Sequence, residues 1–334
     1  IIACYKARAA GGCGLLITEF CAVDGENGIA ETHQLQIHAP RFIKRLALLT
    51  DTLHRYDCKV FFQLFHPGRE GKPQFNGGRQ VISASGIVNP ATGRVSHEMT
   101  REEIHGMVDK FVTGAVYAQQ ANADGVELHC AHGYLLHQFL SPHSNVRTDE
   151  YGGSAENRAR FAVEAVKAVH AAVPEFPIDY KLAVRQEDPH YGNAGVVESE
   201  LGIFVPLLTD AGVTSFHVTL ANHSSLEDTI PPANHPYFKE QGCFLKFCDE
   251  VRRYTDKPIT GVGGLNQPDF VEQQLASGRI TCAAMSRQLL ADPEWPNKVA
   301  SGQIKEIHRC VRCNKKCLGG LQQHQGTHCI YEKV

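Results

Sequence analysis

The chain has 334 residues, of which 43% are hydrophobic, and it carries a formal net charge of −3 at pH 7. A charge this close to zero argues against the strongly basic surfaces that bind nucleic acids or anionic membranes, so we expect neither partner. No apolar run approaches the roughly 18 residues that a membrane-spanning helix needs. No charged-then-apolar secretory leader opens the chain, and we therefore expect a cytoplasmic protein.

Strand-like apolar runs alternate with helical patterns along the chain, which opens in a helical pattern. Seven runs are typical of strands: GLLIT (14–18), KVFFQL (59–64), DGVELH (124–129), IDYKLAV (178–184), TSFHVTL (214–220), PITGV (258–262) and TCAAMS (281–286). Helical patterns lie near 40–55, 101–122, 155–172, 199–211, 241–255, 267–278 and 292–301. Strands that alternate with helices predict a parallel sheet with crossover helices.

The number of strand–helix units favours an α/β fold, a (β/α)8 TIM barrel over residues 1–303. Such a barrel has eight strands, and we expect the first to be missing because the chain begins inside a helix. The alternative is an open doubly wound sheet, which usually carries a G-x-G-x-x-G turn after its first strand. The AGGCG stretch at 10–14 precedes a strand instead. We therefore expect a barrel whose sequence is truncated at the N-terminus.

Polar residues follow the predicted strands at the ends where a barrel places its chemistry. They are Gln63, His129, His132, Arg185, His223, Gly263, Gly264, Ser286 and Arg287. Because the carboxyl ends of all barrel strands open on one rim, we expect these residues to converge. The GVGG run at 261–264 lets backbone N–H groups approach an anion, and the Arg287 guanidinium can bind a phosphate. A plain glycine turn beside a surface arginine is the alternative.

The stretch HCAHGYLLHQF (129–139) has three interpretations. A metal site needs at least three ligands, and His129 and His132 supply only two. The histidines could instead be buried and hydrogen-bonded without a functional role. In the third interpretation, which we favour, both imidazoles donate hydrogen bonds to a substrate carbonyl and the Tyr134 phenol delivers a proton.

Three stretches together resemble a known family. HCAHGYLLHQFLSPHSNVRTDEYGGSAENRARF (129–161) closely resembles the signature of the old yellow enzyme family of flavin-dependent ene-reductases. QLFHPGR (63–69) and SRQLLADPEW (286–295) match further landmarks of that family. The resemblance covers essentially residues 1–300 and implies a (β/α)8 barrel that binds FMN.

The resemblance also implies a role for each candidate residue. Gln63 would contact the pyrimidine edge of the flavin, and Arg185 would lie beside N1 and O2. His129 and His132 would hold and polarise a substrate carbonyl, and Tyr134 would protonate the carbon α to it. The FMN phosphate would be held by Gly263, Gly264, Ser286 and Arg287. The implied reaction is NAD(P)H-dependent reduction of a conjugated C=C bond in a 2,4-dienoyl-CoA, a 2-enoate, or a steroid or bile-acid enone.

Four of the 12 cysteines crowd the segment 304–334, within CVRCNKKCLGGLQQHQGTHC (310–329). Their spacing, C-x2-C-x3-C-x11-C, is compatible with Zn²⁺ or with a [4Fe–4S] cluster, and spacing alone leaves both open, with four free thiols as a less favoured third alternative. The four residues are Cys310, Cys313, Cys317 and Cys329. Behind such a barrel, this spacing resembles the iron–sulfur subgroup that includes 2,4-dienoyl-CoA and 2-enoate reductases. That resemblance implies a [4Fe–4S] cluster, followed by a further half with FAD and NAD(P)H that we expect to be missing here.

Two loops leave alternatives open. TLANHSS (219–225) aligns loosely with a loop that carries a histidine beside the active-site tyrosine in dienoyl-CoA reductases. His223 is therefore a candidate partner of Tyr134, with an inert loop residue as the alternative. The stretch 224–244 could form a substrate lid walled by Tyr237 and Phe238, or it could be ordinary loop packing.

Two other functions are alternatives to the reduction of a conjugated C=C bond. A trimethylamine dehydrogenase-like enzyme would oxidise C–N bonds, but that branch typically has tyrosine where His129 stands and a shorter spacing between its second and third cysteines. A non-catalytic electron-transfer module would not need the donors at 129–134. A small-molecule substrate is expected in either enzyme, and a homo-oligomer is left open.

Overall fold

The computed structural model describes residues 1–185, 196–220, 226–323 and 325–332. The strands in this part are β1 (Leu15–Ala22), β2 (Lys59–Phe65), β3 (Ile82–Ser83), β4 (His97–Glu98), β5 (Gly125–Cys130), β6 (Ile178–Arg185), β7 (Val196–Val197), β8 (Ser215–Leu220), β9 (Ile259–Gly261) and β10 (Cys282–Ala283). One parallel sheet has the order β1-β2-β5-β6-β8-β9-β10, and β7 pairs with the end of β6. β3 and β4 pair apart from it. The seven predicted strands are therefore confirmed.

The helices in the described part of the chain are α1 (Ile2–Ala10), α2 (Ile43–His54), α3 (Arg101–Gln120), α4 (Leu135–Leu140), α5 (Ala155–Ala172), α6 (Leu201–Ala211), α7 (Leu226–Thr229), α8 (Leu245–Arg252), α9 (Pro268–Ala276), α10 (Arg287–Ala291), α11 (Trp295–Ala300) and α12 (Leu318–Gln322). Each predicted helical pattern contains one of them. Thr100 and Glu103 form a capping box that fixes the start of α3. Among the described residues, no helix is long and apolar enough to cross a membrane.

The sheet curls until its two end strands approach each other through their flanking segments. The turn after α1 meets the start of α11, where Asn297 donates from its backbone N–H to Gly11 (3.1 Å) and from its side chain to Ala10 (3.0 Å). A Cβ on Gly11 would overlap the carbonyl oxygen of Pro293. In the described residues β1 and β10, the two end strands of the sheet, do not pair with each other. The fold is a TIM-barrel-like curled parallel sheet surrounded by helices.

Alternation along the strands separates an apolar helix-facing side from a polar interior. On the helix-facing side of β2, Val60, Phe62 and Leu64 are fully buried. The interior positions form two layers through the strand register. The lower polar layer contains Gln63, Glu127, Asp179 and Ser215. The upper polar layer, nearer the carboxyl ends of the strands, contains His129, Lys181, His217 and Thr260.

Candidate active site

The loop after β5 brings three of the predicted site residues together. β5 ends at Cys130 and α4 begins after Tyr134, whose extended backbone precedes the first helical turn. His132 and the following glycine both have left-handed backbones, with φ of 55° and 71°, which turns the chain sharply over the strand end. The His129 ring centroid consequently lies 5.2 Å from that of His132 and 4.9 Å from that of Tyr134.

The environment of His129 keeps its imidazole neutral. The pKa of His129 lies well below its usual value. Burial is the largest cause, and the nearby ammonium of Lys181 is the next largest. The Ala131 backbone N–H donates to His129 Nδ1 at 3.3 Å, so the ring proton belongs on Nε2. His129 therefore offers one N–H donor and carries no charge.

Tyr134 keeps its phenolic proton at neutral pH. Burial raises the pKa of Tyr134 to about 12, and the carboxylates of Glu70 and Glu31 act in the same direction. Its ring packs edge-on against Phe65 with 4.6 Å between centroids, and Phe65 stacks on Phe20 at 4.4 Å. The result is an aromatic wall beside a proton donor at the ends of β1, β2 and β5.

Gln138 ties the loop after β5 to the loop after β2. Its Nε2 donates to the carbonyls of Pro67 (3.1 Å) and Gly133 (2.6 Å), and its Oε1 accepts from the Arg69 backbone (3.2 Å) and the Ser83 hydroxyl (3.0 Å). Gln138 is buried, so these four bonds satisfy a group that would otherwise be costly to bury. Sequence reasoning missed this residue; a polar side chain inside the otherwise apolar LLHQFL run was the available signal.

Gln63 points into the barrel, where its Nε2 donates to Glu127 Oε1. The other carboxylate oxygen of Glu127 accepts from His217 Nδ1 at 2.7 Å, and Lys181 Nζ lies 3.8 Å from Oε1. Lys181 and His217 hold the pKa of Glu127 well below its usual value against the effect of complete burial. Burial and the Glu127 charge raise the pKa of Asp179 well above its usual value, so Asp179 is the protonated member of this carboxyl pair.

This interior network was absent from the sequence prediction, although Glu127 stands out as a charge within the apolar strand DGVELH. Glu127, Asp179 and His217 offer ligand atoms within 4.8 Å of one another, close enough for a metal ion. Both oxygens of Glu127 already accept from nitrogen donors, however, and the Lys181 ammonium is adjacent. We interpret the group as a hydrogen-bonded charge network.

Two cations of β6 face the barrel interior. Lys181 belongs to the upper polar layer, directly opposite His129 in the strand register. Arg185 lies four residues further on, at the end of β6 and on the same face of the strand. The sequence prediction named Arg185 and overlooked Lys181, because the register that aligns Lys181 with His129 is not visible in a single sequence.

The predicted phosphate residues line one cavity of about 310 Å³. Gly263 and Gly264 have φ of 135° and 69°, and a Cβ on Gly263 would lie 2.8 Å from the Phe244 backbone nitrogen. Only glycine can adopt this backbone path without a clash. Gly263 and Gly264 therefore leave open space beside Ser286 and Arg287, and these four residues form a glycine-lined cradle. The Arg287 guanidinium donates to the Pro231 carbonyl at 2.9 Å and to Asn314 Oδ1 at 2.7 Å.

The four predicted cysteine ligands line a second, small cavity of about 20 Å³. Among the described residues no three of their sulfurs come within 4.8 Å of one another. Sulfurs bound at about 2.3 Å to a tetrahedral Zn²⁺ would lie only about 3.8 Å apart. The four described sulfurs are therefore not arranged at the spacing of a tetrahedral Zn²⁺ site.

The sequence left open the role of His223 and that of the stretch 224–244. His223 lies outside the described residues. In the stretch 224–244, Phe238 is buried in the core while Tyr237 is 53% exposed, so the two rings do not form a shared wall. His235 organises this loop: it accepts from the Tyr237 and Phe238 backbones and pairs with Asp228 at 2.8 Å.

Comparison with known proteins identifies the family. A model described as NADH:flavin oxidoreductase / NADH oxidase matches residues 1–306. A bilirubin reductase of Clostridium symbiosum is 53% identical over 247 residues, covering 74% of this chain and 66% of that protein. A NADH oxidase of Thermoanaerobacter brockii is 36% identical over 95% of this chain and 48% of its own length. A cinnamate reductase of Clostridium sporogenes is 30% identical over 97% of this chain and 51% of its own length.

The chain thus spans between about half and two thirds of these relatives. Among solved structures, a complex of 2-naphthoyl-CoA reductase with 2-naphthoyl-CoA superposes with a TM-score of 0.88 at 27% identity, over 99% of this chain and 51% of that one. Histamine dehydrogenase from Rhizobium sp. 4-9 gives 0.88 at 26% identity, over 99% of this chain and 47% of its own. The resemblance to the old yellow enzymes is confirmed, and the chain belongs to the NADH:flavin oxidoreductase / NADH oxidase family of FMN-dependent oxidoreductases.

Proposed function

We propose that this chain reduces a C=C bond conjugated to a carbonyl, with Tyr134 as the proton donor and His129 and His132 as donors to the carbonyl oxygen. The observation that carries the proposal is a neutral N–H donor and a protonated phenol whose rings lie 4.9 Å apart at the rim of the barrel. When bound, FMN supplies the hydride for such a reaction.

The chemistry of the donors matches the charge that this reaction develops. Hydride addition to the carbon β to a carbonyl places negative charge on the carbonyl oxygen. N–H donors aimed at that oxygen stabilise the transition state more than the ground state. Tyr134, with a pKa of about 12, holds its proton until the α carbon accepts it.

The residues present fit an FMN site. Gly263, Gly264, Ser286 and Arg287 would hold the phosphate in the glycine-lined cradle. Gln63 and Arg185 are assigned to the flavin ring by resemblance, and Lys181 is a further cation in the layer of His129. A positive charge there would stabilise a reduced, anionic flavin ring. His223 is proposed as a partner of Tyr134 on the same resemblance.

We assign Cys310, Cys313, Cys317 and Cys329 to a [4Fe–4S] cluster, which would supply one-electron transfer. The C-x2-C-x3-C-x11-C spacing and the cavity that the four residues share support this assignment. Because the relatives are longer than this chain, we further propose that electrons come from NAD(P)H through an FAD-containing part outside residues 1–334.

Similarity favours a substrate with an extended conjugated system. The relatives include a bilirubin reductase at 53% identity and a cinnamate reductase at 30% identity. A linear tetrapyrrole and an aryl enoate both contain C=C bonds in conjugation with a carbonyl. Enoyl-CoA and steroid or bile-acid enones stay candidates of the same chemical class.

The proposal is tested by mixing the chemically reduced, anaerobic holoprotein with bilirubin, cinnamate, a 2,4-dienoyl-CoA and a 3-keto-4-ene steroid. Return of the flavin absorbance with one class, together with the saturated product, would support the reductase and identify its substrate. Failure of every conjugated acceptor would contradict it.

Amine oxidation is the second candidate, because histamine dehydrogenase superposes as well as the CoA-ester reductase does. The same preparation distinguishes the two candidates when it is oxidised first and then mixed with histamine or a tertiary amine. Bleaching of the flavin by the amine would favour C–N oxidation.

A further inference from the structure

The cavity assigned to the FMN phosphate is lined by different parts of the chain, two of which face the cradle region with charged side chains. One of these two parts is the glycine cradle of the barrel with Ser286 and Arg287. The other belongs to the cysteine segment, residues 304–334, and includes Cys310, Arg312 and Cys317. Two of the proposed cluster ligands therefore line the cavity in which the phosphate would lie.

The barrel residues next to the cradle also fix the cysteine segment in place. Asn266 Nδ2 donates to the Cys310 carbonyl at 2.9 Å, and the Cys310 backbone N–H donates to Gln288 Oε1 at 2.9 Å. The Asn314 side chain accepts from Arg287 and donates to the Ile230 carbonyl at 2.8 Å. Residues adjacent to the phosphate cradle thus hold the first and second loops between the cysteines.

Arg312 is the charged side chain that crosses from the cysteine segment to the cradle. It lies between Cys310 and Cys313 and is only 9% exposed. Its Nη1 lies 2.9 Å from the position that a Cβ on Gly264 would occupy. The guanidinium donates to the carbonyls of Phe238 and Lys239, which uses two of its five N–H groups. Within the described part of the chain no other acceptor competes for its remaining N–H groups, so they can donate to an anion in the cradle.

The backbone of Arg312 is held in an unfavourable conformation. Its φ is 49°, in the left-handed region that glycine adopts freely and arginine does not. The turn between the first two cysteines imposes this conformation, so binding a metal at these cysteines would fix the direction of the side chain.

We propose that Arg312 is a second guanidinium of the FMN phosphate site, positioned by the metal-loaded cysteines, so that metal loss weakens FMN binding. The inference rests on the proposed function, because it assumes FMN in the cradle and metal at the cysteines. It adds a coupling between the two groups: each stabilises the other through one side chain.

The test compares FMN with riboflavin, which has the same ring and no phosphate. Arg312→Gly removes the guanidinium and accepts the same backbone conformation, whereas Arg312→Lys keeps a positive charge. Arg309→Gln removes a charge from an exposed position nearby and serves as the control. Dissociation constants come from quenching of flavin fluorescence, and circular dichroism verifies the fold.

We expect Arg312→Gly to weaken FMN about tenfold or more and to leave riboflavin unchanged, with Arg312→Lys intermediate. Removing metal with a chelator, verified by metal analysis, should weaken FMN similarly in the wild type and add little in Arg312→Gly. An unchanged ratio of FMN to riboflavin affinity in Arg312→Gly would overturn the inference. So would equal weakening of both flavins on metal removal. Either result would leave the reductase proposal standing if conjugated acceptors still reoxidise the flavin, whereas a wild type that binds neither flavin would refute both.

Discussion

Burial, rather than residue type alone, sets the protonation states of His129 and Tyr134 in the candidate site. His129 is buried beside the Lys181 ammonium, which favours the uncharged ring, and Tyr134 lies against Phe65, which favours the protonated phenol. At neutral pH both groups are therefore uncharged hydrogen-bond donors. That state suits a reaction in which negative charge develops on the substrate.

A weak pH dependence follows from these two pKa values. His129 would gain a proton only far below its usual pKa of about 6.5, and Tyr134 would lose one only near 12. The single-turnover rate of substrate reduction by pre-reduced protein should therefore vary less than about threefold between roughly pH 6 and 9. A sigmoidal change centred near pH 6.5 that disappears in His129→Asn would show that His129 titrates normally.

Gln138 is predicted to be a structural support of both active-site loops. Gln138→Met conserves volume but leaves the Pro67 and Gly133 carbonyls without their donor. We expect the free energy of unfolding to fall by about 2–4 kcal/mol, measured by urea denaturation. Gln120→Met, at an exposed position of α3, should change stability by less than about 0.5 kcal/mol. Equal effects of the two substitutions would contradict the role of Gln138 as a support of these loops.

The register between neighbouring strands brings together side chains that are far apart in sequence. The lower and upper polar layers join β2, β5, β6 and β8, and the His217–Glu127 hydrogen bond crosses the barrel interior above β6. Lys181 supplies the charge that keeps Glu127 ionised while completely buried. Removal of this ammonium would leave a buried carboxylate without its counter-ion.

Lys181→Met should therefore lower stability by about 3 kcal/mol at pH 7. The pKa of Glu127 is depressed in the folded state, so its stabilisation is complete above its unfolded pKa of about 4.5 and declines as pH falls toward the folded value. The difference between wild type and variant should shrink in acid. Adding Glu127→Gln to Lys181→Met should recover part of the loss, and a double variant less stable than Lys181→Met would contradict the charge pairing.

The sequence predicts the elements well because each depends on local periodicity. The seven strands lie within four residues of their predicted bounds, and His129, His132 and Tyr134 could be singled out because they lie at or just after the end of β5. Glu127, Asp179 and Lys181 were missed because their importance lies in register between strands. Gln138 was missed because its four partners belong to three separate segments.

In the whole molecule, a close contact at Gly11 joins segments that flank the two end strands of the curled sheet. Gly11 lies against the Pro293 carbonyl, and Asn297 donates from its backbone N–H to the Gly11 carbonyl and from its side chain to the Ala10 carbonyl. The same curvature gathers the strand ends and the cysteine segment at one rim. Local sequence patterns do not encode this contact, because its partners are separated by most of the chain.

Gly11→Ala tests the importance of that contact. The added methyl would overlap the Pro293 carbonyl, and we expect a loss of about 1–3 kcal/mol in the free energy of unfolding. Gly14→Ala is the matched control, because its Cβ would meet no atom within 4 Å. That substitution should be neutral or slightly stabilising. If Gly11→Ala were as stable as Gly14→Ala, the close approach would not hold the sheet in its curled form.

Whether Tyr134 donates the proton is tested by comparing wild type with Tyr134→Phe in a single turnover. The substrate is whichever conjugated acceptor reoxidises the flavin. Both proteins are reduced anaerobically, and saturated product is measured against time. We expect Tyr134→Phe to bind FMN and to be reduced normally but to form product about 100-fold or more slowly, because the proton donor is missing. Product formation at the wild-type rate, or loss of FMN from the variant, would contradict the assignment of Tyr134 as the proton donor.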